Sequence, residues 1–289
     1  MRFGVDVGGT TVKLGVFEGN ELKDSFSITT TKETLFDDIK DAIKSYTNNI
    51  EFIGFGLPGH VVNNYIYNLP NIGIKNFDLN EYMAKEFPGI KFASTNDANA
   101  AALGEQIADG KYASSYMITL GTGVGGGLII DNKLINGSHG NCGEIGHMVV
   151  DKHEYQCSCG LKGCLETVAS ATGIVRLAKH YKDEYKTTID FDNISAKAVF
   201  DKAKEGDELG LFVFNYVSDI LARTIAIIAV VVDVECIYIG GGVAAVGQIL
   251  IDNIKEKYQQ YSHYAVKNLE IKLASQGNKA GIIGAAFIE

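Results

Sequence analysis

The chain has 289 residues, 46% hydrophobic and 21% charged, with a formal net charge of −9. This is the balance of a globular protein long enough for two domains of ordinary size. An acidic chain with no basic patch excludes nucleic-acid backbone binding and adsorption to an anionic membrane, so neither partner is expected.

Phe3 to Val7 alternates apolar residues, Gly8-Gly9-Thr10-Thr11 interrupts, and Val12 to Phe17 resumes. That reads as strand, tight turn, strand, with a third strand over Leu22 to Ile28. A dinucleotide-binding loop would run from strand into helix, so that fold is a poor match. Asp6 with Gly8, Gly9, Thr10 and Thr11 suits a nucleotide's phosphates. Glycines admit a close backbone, hydroxyls donate, and a carboxylate holds Mg2+ directly or through water. An ordinary glycine hairpin is the plain alternative, and glycine turns are common. The opening MRFGVDVGG lacks the long apolar core of a signal peptide.

Thr34 to Asn48 is predicted as an amphipathic helix on Leu35, Ile39 and Ile43. A strand over Ile53 to Leu57 leads into Pro58-Gly59, Tyr65 to Leu69 is a further strand, and Pro70 to Phe77 is a loop. A helix over Asp78 to Phe87 and a strand over Ile90 to Ala93 follow. That strand delivers Asn96-Asp97 to the head of a helix over Ala98 to Ala108. Local sequence favours Asp97 as the N-cap, although a carboxylate so placed can also accept a proton from a substrate hydroxyl.

Tyr116 to Leu120 enters a second glycine-threonine segment, Gly121 to Gly127, and Leu128 to Ile130 leaves it as a strand. This echo of the first turn, in TLGTGVGGG, strengthens the phosphate reading of both. Further on, Cys157, Cys159 and Cys164 fall within eight residues, spaced by Gly160 and Gly163. Thiolates are good zinc ligands, and the glycines let a short loop fold back on itself. Clustered thiols point to metal binding rather than disulfides, in a cytoplasmic protein. His147, ten residues before Cys157, and His153, four before it, are both available as fourth ligand. A Cys3His set leaves no open position, so the zinc is expected to be structural. Glu144 and Glu166 flank the knuckle as candidate fixed polar groups; a lone Glu is otherwise a solvated surface residue. Cys142 reads as a spare thiol or a packing residue beside the knuckle, Cys236 as core.

Helices are predicted over Thr172 to Tyr185, from Asp192 to Ser195 onward, and over Asp207 to Val232, the last buried. The longest strongly apolar run, Ile225 to Val232, is far below the ~20 residues that span a bilayer. A strand over Cys236 to Ile239 ends in Gly240-Gly241-Gly242, where a flat ring could approach the backbone or two elements could pack closely. A helix over Val243 to Tyr258, a strand over Leu269 to Leu273 and a helix over Gly281 to Ile288 complete the chain.

The segments FGVDVGGTTVKLGVF, NDANAAALGE, TLGTGVGGGLIIDNKLINGSHGNCGEIGH, CSCGLKGCLETVASATGIVRLAK and YIGGGV resemble the ROK family of sugar kinases and repressors. Within it they look most like the bacterial ATP-dependent glucokinases. The resemblance implies a two-domain α/β fold of the actin-like ATPase (ribonuclease H-like) type with a cleft between domains. The small domain would be residues 1–115 with the C-terminal helix 277–289 returning to it. The large domain, 116–276, would carry the knuckle. It further implies phosphate contacts at Asp6, Gly8, Gly9, Thr10 and Thr11 and at Gly121, Thr122 and Gly123, with Gly241 and Gly242 along the adenosine. Asn96, Asp97, Glu144, His147 and Glu166 would bind the sugar, with Asp97 as base. His147 would join Cys157, Cys159 and Cys164 on zinc, reducing His153 to a loop residue. ATP, Mg2+ and structural Zn2+ are the implied cofactors, and a homodimer the implied assembly.

The implied reaction is transfer of the ATP γ-phosphoryl group to the 6-hydroxyl of glucose. N-acetylmannosamine, N-acetylglucosamine, fructose or β-glucoside phosphorylation is the alternative. Two segments depart from the glucokinase pattern: NLPNIGIKNF lacks the usual Gly-Trp, and His139-Gly140-Asn141-Cys142 replaces a small-residue run before GEIGH. A repressor would need a DNA-binding domain ahead of Asp6, and a sugar-binding regulator without catalysis would not need both phosphate turns and Asp97.

Overall fold

The computed structural model describes residues 1–47 and 49–288. The last residue of the first expected helix, Asn48, and the terminal Glu289 lie outside the described residues. The chain divides into two compact units. Unit 1 is Met1–Ser114, Gly127–Gly143 and Gln276–Glu289; unit 2 is Ser115–Gly126 and Glu144–Ser275. The segment Gly127–Gly143, assigned from sequence to the large domain, belongs to unit 1.

Unit 1 opens with β1 (Arg2–Val7), β2 (Thr11–Glu18), β3 (Glu21–Thr29), α1 (Leu35–Tyr46) and β4 (Phe52–Leu57). It continues through β5 (His60–Val62), β6 (Tyr65–Leu69), β7 (Ile74–Asp78), α2 (Leu79–Glu86), β8 (Lys91–Asn96) and α3 (Asp97–Asp109). Its main sheet has the order β3-β2-β1-β4-β8. The first three strands run antiparallel, and β4 and β8 run parallel to β1. Every residue of β4, FIGFGL, is buried, as befits a parallel strand covered on both faces. The segment expected to be a loop, Pro70 to Phe77, instead contributes β7 to a small antiparallel sheet, β5-β6-β7. Its polar, Asn-rich text has no apolar alternation, so pairing with β6, not intrinsic pattern, makes it a strand.

The next strands are β9 (Ser115–Leu120), β10 (Val124–Ile130) and β11 (Lys133–Leu134). Only Gly121 to Gly123 form the turn; Gly125 to Gly127 lie inside β10. Then come α4 (Glu166–Ala169), α5 (Ala171–Tyr181), α6 (Ala196–Lys204), α7 (Glu208–Val232), β12 (Cys236–Gly240), α8 (Gln248–Tyr261), β13 (Glu270–Leu273) and α9 (Ala280–Ala286). The second sheet, β11-β10-β9-β12-β13, repeats the order of the first. Here too the two later strands are parallel to the strand that opens the set. The echo seen in the glycine turns is thus an echo of whole sheets.

Two helices differ from expectation. The one over Val243 to Tyr258 is broken at Gly247, whose φ of +94° no helix accommodates. The long helix α7 is capped by Asp207, which accepts from Gly210 N–H at 3.0 Å. Among the described residues α7 alone is long and apolar enough to cross a membrane, with 56% of its most apolar stretch buried. Its last turns are not buried as expected: Ile227, Val230 and Val231 are 46%, 58% and 76% exposed.

Helix α9 returns to unit 1 and packs on α3, β1 and β4. The approach depends on missing side chains. A Cβ on Gly284 would fall on the Ala100 carbonyl, and one on Gly104 on the Ala280 carbonyl. Gly→Ala inside a helix ordinarily stabilises by roughly 0.5–1 kcal/mol. At Gly104 and Gly284 the sign should reverse, with a loss of about 1–3 kcal/mol. Urea unfolding of Gly284→Ala checks this; a variant as stable as the parent would show that α9 packs elsewhere.

Candidate functional site

In unit 2, Gly160 and Gly163 take φ of +94° and +74°, which favours glycine, and turn the chain back on itself. Cys157 N–H donates to Leu161 O at 2.8 Å and Gly163 N–H to Tyr155 O at 3.0 Å. The outcome is one cluster: ligand atoms of His147, Cys157, Cys159 and Cys164 all lie within 4.8 Å of one another. Cys159 and Cys164 sulfurs are 3.7 Å apart, and Cys157 sulfur is 3.5 Å from His147 Nδ1. A tetrahedron with metal–sulfur bonds of about 2.3 Å and a metal–nitrogen bond of about 2.0 Å has edges of roughly 3.5–3.8 Å. The donor set and its spacing therefore fit zinc. Burial pushes the Cys164 thiol up to about 12, a cost that a bound cation reverses by holding the thiolate.

His147 turns Nδ1 to the sulfurs, while Nε2 lies 3.9 Å from Glu144 Oε2. The two ring nitrogens thus face different neighbours, sulfur on one side and a carboxylate on the other. Glu166, the first residue of α4, accepts from Val124 N–H at 3.0 Å through Oε2. A Cβ on Gly123 would strike that same oxygen. The second glycine turn and the knuckle are therefore packed on each other, which their separation in sequence does not disclose.

That turn is closed by Gly121 N–H donating to Gly123 O at 2.9 Å, and Gly121 O accepts from Ala171 N–H at the head of α5. Thr172 hydroxyl donates to Thr122 O at 3.3 Å. Gly241, at φ +88°, lies so close to Leu120 backbone that packing alone requires glycine. Around Gly242 nothing lies within 4 Å of a hypothetical Cβ, so packing does not require glycine there.

Two cysteines and a histidine complete the inventory. Cys236 is fully buried in β12, as expected of a core residue. Cys142 is not a member of the metal cluster; it belongs to unit 1, where its amide donates to Asn136 O at 3.1 Å. His153 is not an idle loop residue: its ring contacts Asp151, Tyr181 and Tyr216.

In unit 1, Gly8 N–H donates to Thr11 O at 3.0 Å and closes the first turn; Thr30 hydroxyl donates to Gly8 O at 2.8 Å and braces it. Gly9 and Thr10 are exposed at its tip. Burial raises the Asp6 carboxyl above the usual carboxylate range, and Lys13 opposes the shift. The hairpin register pairs Asp6 with Lys13, and Lys13 Nζ lies 4.0 Å from Asp6 Oδ2. Lys13 was passed over in the sequence. The signal was there, since it shares a strand face with Thr11 two residues earlier, but the hairpin register was needed to set it against Asp6.

Asn96, not Asp97, caps α3: its side chain accepts from Ala98 N–H at 2.8 Å and donates to Gly59 O at 3.2 Å. Asp97 is the first helical residue, and its Oδ1 also accepts from Ala98 N–H, at 2.9 Å. The favoured role of Asp97 as cap is thereby corrected. Across the sheet Asp6 is in register with Gly56, and Gly56 with Thr95. Two strand spacings of ~4.8 Å set Asp6 and the Asn96-Asp97 corner roughly 10 Å apart at the carboxyl ends of parallel strands, where open α/β sheets bind ligands.

The ROK family model matches residues 2–289. A glucokinase of Halalkalibacterium halodurans is 37% identical, over 99% of this chain and 93% of that protein. An N-acetylmannosamine kinase of Haemophilus influenzae is 29% identical, over 98% and 93%. Among solved structures, a ROK family glucokinase of Streptomyces griseus in complex with glucose and AMPPNP is 30% identical, with a TM-score of 0.79 over 99% of this chain and 97% of that one.

Proposed function

The chain belongs to the ROK family, and from that membership we propose that it transfers the γ-phosphoryl group of ATP to the 6-hydroxyl of glucose. It has the actin-like ATPase fold and is a sugar kinase; the choice of sugar and the role of each residue are the proposal. The observation that carries the choice of glucose is the greater likeness to the glucokinase than to the N-acetylmannosamine kinase.

Phosphoryl transfer asks a protein for positioning and charge neutralisation more than for covalent chemistry. At the first turn the Gly8–Thr11 backbone and hydroxyls cradle phosphate oxygens. Asp6 would hold Mg2+, directly or through water, and the bound cation would supply charge neutralisation at the transferred group. Gly121, Thr122 and Gly123 do the same work on unit 2, and Gly242, beside the packed Gly241, lines the adenosine. Asn96, Glu144, Glu166 and His147 Nε2 hold the sugar hydroxyls. Asp97 accepts the proton of the 6-hydroxyl as its oxygen bonds to phosphorus. The zinc set is closed by four protein ligands, so its part is to hold His147 and the segment leading to Glu166.

A coupled ATP-consumption assay over hexoses and N-acetylhexosamines tests this reading. Glucose should show the highest kcat/KM. A clearly higher value for N-acetylmannosamine would replace the sugar and leave the kinase, and no turnover with any sugar would end the reading.

A further inference from the structure

Between His147 and Cys157 the chain carries an Asp-x-His pair that the zinc does not use. Asp151 has a wholly buried side chain, and that of His153 is 8% exposed. A buried carboxylate is stable only when its lone pairs are met, and this one receives three donors. His153 backbone N–H donates to Oδ2 at 3.1 Å. His153 Nδ1 lies 3.2 and 3.1 Å from the two oxygens. The Tyr216 hydroxyl, on α7, donates to Oδ1. A proton on Nδ1 leaves Nε2 as an acceptor, and the Tyr181 hydroxyl, on α5, is 2.6 Å from it. Burial and the Asp151 carboxylate push the Tyr216 hydroxyl upward, so it stays a donor.

The cluster reaches both ends of the knuckle. Asp151 N–H and Val150 N–H donate to Gly163 O at 3.0 and 2.9 Å. The His153 ring stacks on Tyr155 at 5.2 Å, and the Arg176 guanidinium lies 5.5 Å over the Tyr155 ring. Arg176 in turn donates to the carbonyl of Thr167, the residue after Glu166.

We propose that Asp151, His153, Tyr181 and Tyr216 form a second, metal-independent clasp on the knuckle, with His153 a positioning residue for His147 and Glu166. The clasp fixes the segment between His147 and Cys157 to α5 and α7, while the zinc set ties His147 to the cysteine turn. A buried polar pair serving stability alone would act on the whole of unit 2. A clasp acts on the two side chains it holds. The effect on sugar rests on the sugar-kinase reading; the effect on metal retention does not.

Zinc release from the purified holoprotein to a chromophoric chelator gives the first readout, and the KM for sugar and for ATP the second. His153→Ala should release zinc about tenfold faster or more, the size of effect seen when outer partners of a metal site are lost. Its KM for sugar should rise by a similar factor, with the KM for ATP held. His153→Asn can still donate to Asp151 but cannot reach Tyr181, so it should recover part of both losses. Tyr216→Phe, which removes only the hydroxyl, gives the same readouts should His153→Ala fail to fold. Unchanged zinc release in these variants would overturn the clasp. So would a sugar KM and an ATP KM that rise together, since that is general loosening. If the parent protein phosphorylates no sugar, the kinase reading fails while zinc release still decides the clasp.

Discussion

Asp97→Asn should give a folded protein that still binds sugar and nucleotide but turns over ~10²–10⁴-fold more slowly, the usual loss on removing a general base. The start of α3 should survive this substitution. Helix α3 is capped by Asn96, so its start does not depend on the Asp97 carboxylate. The bond from Ala98 N–H to Asp97 Oδ1 can pass to the asparagine oxygen. Thermal unfolding of the variant should fall close to the parent, and the KM for sugar should change little beside kcat. A kcat within a few-fold of the parent would return Asp97 to a helix-start residue and leave the base unassigned.

Removing the zinc should be the next most damaging change, and it should damage sugar binding first. Elemental analysis of protein purified without chelator should find one zinc per chain, and Cys159→Ser should carry far less. Cys159 is the exposed member of the set, so the serine costs little packing and reports on metal ligation. Sugar affinity should drop by at least ~10–100-fold, the range set by weakened metal sites, because His147 Nδ1 loses what orients it. Nucleotide should be held better, but not untouched. The turn Gly8–Thr11 belongs to unit 1, whereas Gly123 and Val124 are packed on Glu166. ADP affinity should therefore weaken by a smaller factor than sugar affinity. Full activity in protein shown to contain no zinc would refute the structural role, and so would equal losses of both ligands.

The knuckle was legible in the sequence because its ligands are local. Cys157, Cys159 and Cys164 lie within one short loop, and glycines at the two positions of positive φ mark where it turns. The glycine turns were legible as turns for the same reason, since a hairpin is fixed by residues adjacent in the chain. Helix α7 was legible from its apolar length, but its exposed last turns were not, because periodicity reports a face and not what covers it.

What the sequence by itself determined was the family, the alternation of strands and helices, the glycine turns and the three cysteines of the knuckle, through residue type at short range; the choice of His147 over His153 as fourth ligand came only from the family resemblance, and the structure brings His147 to the sulfurs. What only the tertiary structure decided were pairings set by distant segments. Strand β7 exists because β6 pairs with it, and the cap of α3 passes to Asn96 because the Gly59 carbonyl anchors that side chain. Lys13 faces Asp6 through a hairpin register, Glu166 meets Gly123 across 43 positions of chain, and His153 finds Tyr181 and Tyr216 on two separate helices. In each case the energy lies in a contact whose partner is far away in sequence, so no local pattern can encode it.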